Sequence, residues 1–106
     1  MSLDESLRKV LEGGRDWQRV PVKGSPGIFV VRAPAYRGRP ASLMVEVNPV
    51  GGDGTPLKRR GLMLRTVEEL EMFRRLLSER RLDEVLKALE RVNPKGEAGS
   101  EEPLEI

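Results

Sequence analysis

A chain of 106 residues with neither cysteine nor histidine can bury one core, but it lacks disulfides, thiolate nucleophiles, imidazole acid–base chemistry and the usual zinc ligands. Most enzyme classes fall away with those residues, and no run approaches the roughly 20 apolar residues of a membrane-spanning helix, so a soluble cytoplasmic protein without a cofactor is expected. The formal net charge of +2 conceals a segregation: residues 15–65 carry ten basic groups against three acidic, while residues 1–14, 66–92 and 93–106 are each net acidic.

Ser2 and Glu5 have the spacing of a capping box, and Leu3, Leu7, Val10 and Leu11 fall on one helical stripe that Gly13 and Gly14 end. Residues 17–22 alternate weakly, and Pro21 among them predicts an edge strand. After a turn, residues 28–32 are almost wholly apolar and β-branched and predict a strand buried on most sides. The segment APAYRGRP predicts another turn. Residues 41–47 then alternate, which assigns Leu43, Val45 and Val47 to the core face and Ser42, Met44 and Glu46 to the other.

A Gly- and Pro-rich loop over residues 48–56 leads to a returning strand over 57–65, pointing Leu62 and Leu64 inward and Arg59, Met63 and Arg65 outward. Gly61 within it marks a bulge or a close approach. Thr66 and Glu69 repeat the capping-box spacing. Leu70, Phe73 and Leu77 form one helical stripe, and Leu82, Val85, Leu86, Leu89 and Val92 another, rotated from it by roughly a third of a turn. A kink or break is therefore expected around residues 78–81. Residues 93–106 read as a mobile acidic tail behind a single domain over 1–92. The sum is an α+β plan: an N-terminal helix, a three- to four-stranded antiparallel sheet, then one long kinked helix or two helices.

If the strands pair in the assumed register, one sheet face displays Trp17, Arg19, Arg32, Met44, Arg59, Met63 and Arg65. Arginines mixed with flat or soft apolar side chains suit a single strand of nucleic acid, whose phosphates take the charge while unpaired bases stack. Lys58, Arg59 and Arg60 are consecutive, so an extended strand would send them to alternating faces, with Arg59 toward the ligand and Lys58 and Arg60 at the rim. Tyr36, Arg37, Gly38 and Arg39 place a tyrosine between cations with a permissive glycine, either a clamp on a strand or an ordinary turn. The helices carry balanced charge, with no recognition-helix pattern.

Each of these features has a plainer reading. The arginines can be solvated strand positions, and Trp17 can pack in the core as readily as stack on a base. Phe29 and Phe73 belong to apolar runs and read as core. The spacing of Leu82, Val85, Leu89 and Val92 suits pairing of two subunits or packing on the protein's own sheet. Glu46 and Asp53, the two acids of the basic hairpin, define no metal site by themselves, so neither catalysis nor a metal is expected.

The block from Ile28 to Leu77, with VVRAPAYRGRPASLMVEVNP and GDGTPLKRRGLMLRTVEELEMFRRLL, resembles the ThermoDBP family of small single-stranded DNA-binding proteins of hyperthermophilic archaea and its related proteins. It is also similar to transcription coactivators of the positive cofactor four type. The first resemblance implies a homodimer or higher homo-oligomer joined partly through C-terminal helices, with bases held in a cleft against the sheet. Its site would use the arginine and aromatic set named above, although no aromatic lies on the 57–65 strand. Fourteen arginines among nineteen basic residues are compatible with life at high temperature. Alternatives to single-stranded DNA are RNA, or a protein-interaction module whose helices engage a partner.

Overall fold

In the computed structural model, which describes residues 2–94, short-range signals set the ends of the elements. Ser2 Oγ accepts the Glu5 amide at 3.1 Å and opens helix α1 (Leu3–Gly13). An N-cap of this kind contributes about 1 kcal/mol. Thr66 Oγ1 likewise accepts the Glu69 amide at 3.0 Å where α2 (Val67–Leu77) begins. Glu69 completes the box one residue early, its carboxylate taking the Arg65 amide at 2.7 Å. Helix α3 (Arg80–Val92) follows after a break at Ser78 and Glu79, where the rotated stripes predict one.

Between α1 and α2 lie β1 (Arg19–Pro21), β2 (Ile28–Ala33), β3 (Ser42–Val47) and β4 (Leu62–Leu64). They form a four-stranded antiparallel meander in the order β1-β2-β3-β4, with β1 and its Pro21 at an edge as expected. The fold is thus α+β. Two compact units divide the chain, Met1–Leu70 and Glu71–Ile106, and the whole sheet belongs to the first. Beyond Pro94 the expected acidic tail lies outside the described residues. No helix among the described residues is long and apolar enough to cross a membrane.

The register pairs Phe29 with Glu46, Val31 with Met44 and Ala33 with Ser42. Period two puts these on one face, together with Arg19, which pairs with Val31, and Met63, which pairs with Glu46. The opposite face carries Val20, Val30, Leu43, Val45, Leu62 and Leu64. The assignment of Leu43, Val45 and Val47 to the core is corrected here: Phe29, Val31, Ala33, Met44 and Glu46 are buried, while Leu43 and Val45 are half-buried and Val47 is exposed.

Met44, expected at the surface, is only 8% exposed and forms a cluster with Val31 and Ala33, against which Met63 packs. Cover from the intervening segments decides this, because residues 58–61 fold back over the Glu46 side while the aliphatic face keeps Ile28 and Val47 exposed. Of that second face Leu64 is buried, and the end of α1 reaches it through the Leu11 carbonyl.

Candidate nucleic-acid interface

Arg15 and Gln18 close a turn, the Gln18 amide donating to the Arg15 carbonyl at 3.1 Å. Trp17 holds its third position at φ 62°, a left-handed conformation that normally calls for glycine there and is strained for a bulky side chain. The turn is pinned to β2: the Trp17 amide donates to the Arg32 carbonyl at 2.6 Å, and the Arg32 amide to the Gln18 carbonyl at 3.1 Å. The Arg32 side chain locks it from the other side of the sheet, with Nε on the Leu11 carbonyl and Nη1 on Asp16, both at 2.8 Å. These bonds hold the indole out toward solvent, 60% exposed.

A second anchor is a buried polar cluster. Glu46 is 1% exposed and Asn48 0%. Four donors converge on the Glu46 carboxylate: Arg19 Nε at 2.7 Å, Arg19 Nη2 and Asn48 Nδ2 at 3.1 Å, and the Gly61 amide at 2.7 Å. Asn48 also bonds Lys58 as a strand neighbour would, donating to its carbonyl at 2.8 Å and accepting its amide at 3.2 Å. Burial pushes the Glu46 carboxyl up, but the Gly61 amide, the Arg19 guanidinium and the Asn48 amide outweigh it and hold the group below the usual range.

This cluster changes the basic tripeptide. The regular strand is confined to Leu62–Leu64, and residues 58–60 run as bends tied to Asn48 and to Arg19, whose Nη2 reaches the Arg59 carbonyl at 3.3 Å. Because they are off the ladder, the expected alternation of Lys58, Arg59 and Arg60 does not apply. Arg59 and Arg60 line the same cleft, and Lys58 is exposed outside it. Gly61 is required at the crossing, since a Cβ there would collide with the Val47 carbonyl and Asn48.

The third local device is a two-residue turn. Tyr36 and Arg39 exchange backbone hydrogen bonds at 3.0 and 2.9 Å around Arg37 (φ 47°) and Gly38 (φ 78°), the geometry of a type I′ hairpin. The Arg37 guanidinium lies over the Tyr36 ring at 5.2 Å. Tyr36 and Arg39 themselves are exposed and line a cleft.

Two adjacent clefts result on the Met63 face. The first, about 370 Å³, is lined by Trp17, Tyr36, Arg39, Pro40 and Arg65 over a floor of Ala33, Pro34 and Ser42. The second, about 260 Å³, is lined by Trp17, Arg19, Arg59, Arg60 and Met63 over Val31 and Glu46. Arg39, Arg59, Arg60 and Arg65 form no ion pair among the described residues.

The structure therefore gathers Trp17, Arg19, Tyr36, Arg39, Arg59, Arg60, Met63 and Arg65 along the two clefts, with Lys58 and Arg37 outside them. It withdraws three other expectations. Arg32 faces the opposite side and serves the turn. Met44 is core. Arg19 lines the second cleft, but its charge is spent on Glu46 and its guanidinium lies over Phe29 at 5.4 Å. The sequence reading missed the lining residues Ala33, Pro34, Pro40 and Ser42, and the anchoring roles of Glu46 and Asn48. The one signal for the anchors is an acid on a strand and an amide two residues later, just past the strand's end, across from a glycine. Asp53 is occupied within its own loop by the Thr55 hydroxyl at 2.7 Å and amide at 3.1 Å, which hold its carboxyl below the usual range. No protein family, curated protein or solved structure was found to match the chain, so the functional reading is carried by the site.

Proposed function

We propose that this chain binds single-stranded nucleic acid, DNA in the first place, along the two clefts of its sheet, with little regard for sequence and without catalysis. The observation that carries the reading is an exposed tryptophan, held in a strained backbone between two clefts, with four arginines around them that form no ion pair among the described residues. Guanidinium groups serve phosphates, while the indole, Tyr36 and the Met63 thioether serve base faces that a duplex would hide. Stacking surfaces accept any base, and the Ser42 hydroxyl already takes a long 3.4 Å contact from Arg65, which favours sequence tolerance.

A fluorescence titration over salt tests the reading. Four arginine–phosphate contacts predict a slope of log affinity against log salt of roughly −3 on a single strand, and tighter binding to oligothymidylate than to a duplex of equal length. A flat salt response, or preference for the duplex, would overturn it. A parallel titration with oligouridylate decides whether RNA is accepted.

The same proposal makes the protein a homodimer. Val85, Leu86, Leu89 and Val92 form an apolar stripe on α3 that one copy leaves exposed, and a second copy of that stripe is a self-complementary cover for it. Sedimentation at micromolar concentration is expected to report twice the 11.9 kDa chain mass. A monomer there would assign the stripe to a different protein, which is the interaction-module reading.

A further inference from the structure

Among the described residues, Trp17 is the one lining residue the two clefts share. Trp17 thus borders both clefts rather than lying within one. We propose that Trp17 is a wedge that enters between two consecutive unpaired bases, so that the smallest ligand filling the site is a dinucleotide with one base in each cleft. This deepens the single-strand reading and rests on it.

The dimensions agree. The floor of one cleft includes Ala33 and that of the other Val31, neighbours on the same face of β2. Two strand residues span about 6.6 Å. Stacked nucleotides rise about 3.4 Å each, so two bases with one ring between them stand about 6.8 Å apart. An inserted indole therefore sets the base spacing that the sheet already has. Each cleft also brings its own cations: Arg39 and Arg65 border the first, Arg59 and Arg60 the second. That puts a pair of guanidinium groups on each side of the wedge, for the phosphates of the strand as it enters and leaves. Tyr36 and Pro40 provide the far wall of the first cleft and Met63 that of the second, so each base has an apolar surface besides the indole.

The strain at Trp17 fits a wedge better than a platform. A ring lying on a sheet can be supplied from a relaxed strand position, whereas one that is to enter between bases must stand clear of the strands, on backbone that turns beneath it. The left-handed turn, pinned on both sides by Arg32, does this.

Trp17 is the chain's single tryptophan, so intrinsic fluorescence reports the wedge directly. Thymidine monophosphate, dithymidine diphosphate and oligothymidylate are titrated against the protein, with oligouridylate in parallel. A dinucleotide of two 2-aminopurines is followed by circular dichroism, because adjacent stacked 2-aminopurines give an exciton-coupled band that a ring between them removes.

The expected result is quenching of Trp17 by oligothymidylate, an affinity for the dinucleotide at least about tenfold above that for the mononucleotide, and loss of the exciton band on binding. The variant Trp17→Asn, whose residue type tolerates the left-handed conformation, should lose about tenfold or more in oligonucleotide affinity with its fold intact. Binding of the 2-aminopurine dinucleotide with its exciton band preserved, or equal affinity for mono- and dinucleotide, would overturn the wedge and, with oligothymidylate still bound, leave the single-strand reading standing. Failure of both oligothymidylate and oligouridylate to bind would remove that reading, and the wedge with it.

Discussion

Replacing Glu46 by Leu is expected to lower folding stability by about 3 kcal/mol, because it strips the acceptor from a half-buried main-chain amide, from the buried Asn48 amide and from a guanidinium held against the sheet. In a domain of this size that corresponds to a fall in melting temperature of roughly 15 °C. Glu46→Gln should cost less. Three of the four donors meet at Oε2 and one at Oε1, so an amide oxygen placed at Oε2 keeps three bonds and opposes one donor with another.

The wild-type excess over Glu46→Leu should also depend on pH with a definite sign. The folded carboxyl titrates below its ordinary value of 4.5. Its contribution is therefore complete above that value and is lost as the pH falls through the depressed folded value. Thermal melts of both proteins from neutral to acid pH check this, and equal stability at neutral pH would remove the anchor role. Oligonucleotide affinity should fall as well, since Glu46 and Asn48 hold the backbone of residues 58–61 from which Arg59 and Arg60 project.

The second large effect concerns those two arginines. The double variant Arg59→Glu, Arg60→Glu is expected to weaken binding to oligothymidylate by about a hundredfold, as the loss of two charge-assisted contacts of about 1.5 kcal/mol each requires. The salt slope should shrink by at least about 1.4, the share of two phosphates. Both side chains are exposed and unpaired among the described residues, so thermal stability should change by no more than about 0.5 kcal/mol. Lys58→Glu, altering a charge outside the clefts, should have a smaller effect than either arginine change. Unaltered affinity in the double variant would detach the clefts from nucleic acid.

Much of the architecture was readable from local pattern. Serine and threonine three residues ahead of a glutamate marked the starts of α1 and α2. Pro21 marked the edge strand, and the rotated apolar stripes marked the break between α2 and α3. The site was readable as a set of residue types but not as a set of roles. Arg19, Arg32 and Arg59 look alike in the sequence, yet one neutralises a buried carboxylate, one braces a turn from the far face, and one lines a cleft with no ion pair among the described residues.

The amino-acid order determined the elements, their succession and the concentration of positive charge in the β region, because caps, periodicity and turn residues act over a few positions. Tertiary structure decided which sheet face is covered, which arginines keep their charge available and where the tryptophan stands. Those outcomes depend on partners far along the chain: Glu46 lies 27 residues from Arg19 and 15 from Gly61, and Arg32 lies 16 from Asp16. A period-two pattern fixes which residues share a face. Only the segments that fold over that face determine whether a methionine on it is core, or an arginine is free to meet a phosphate.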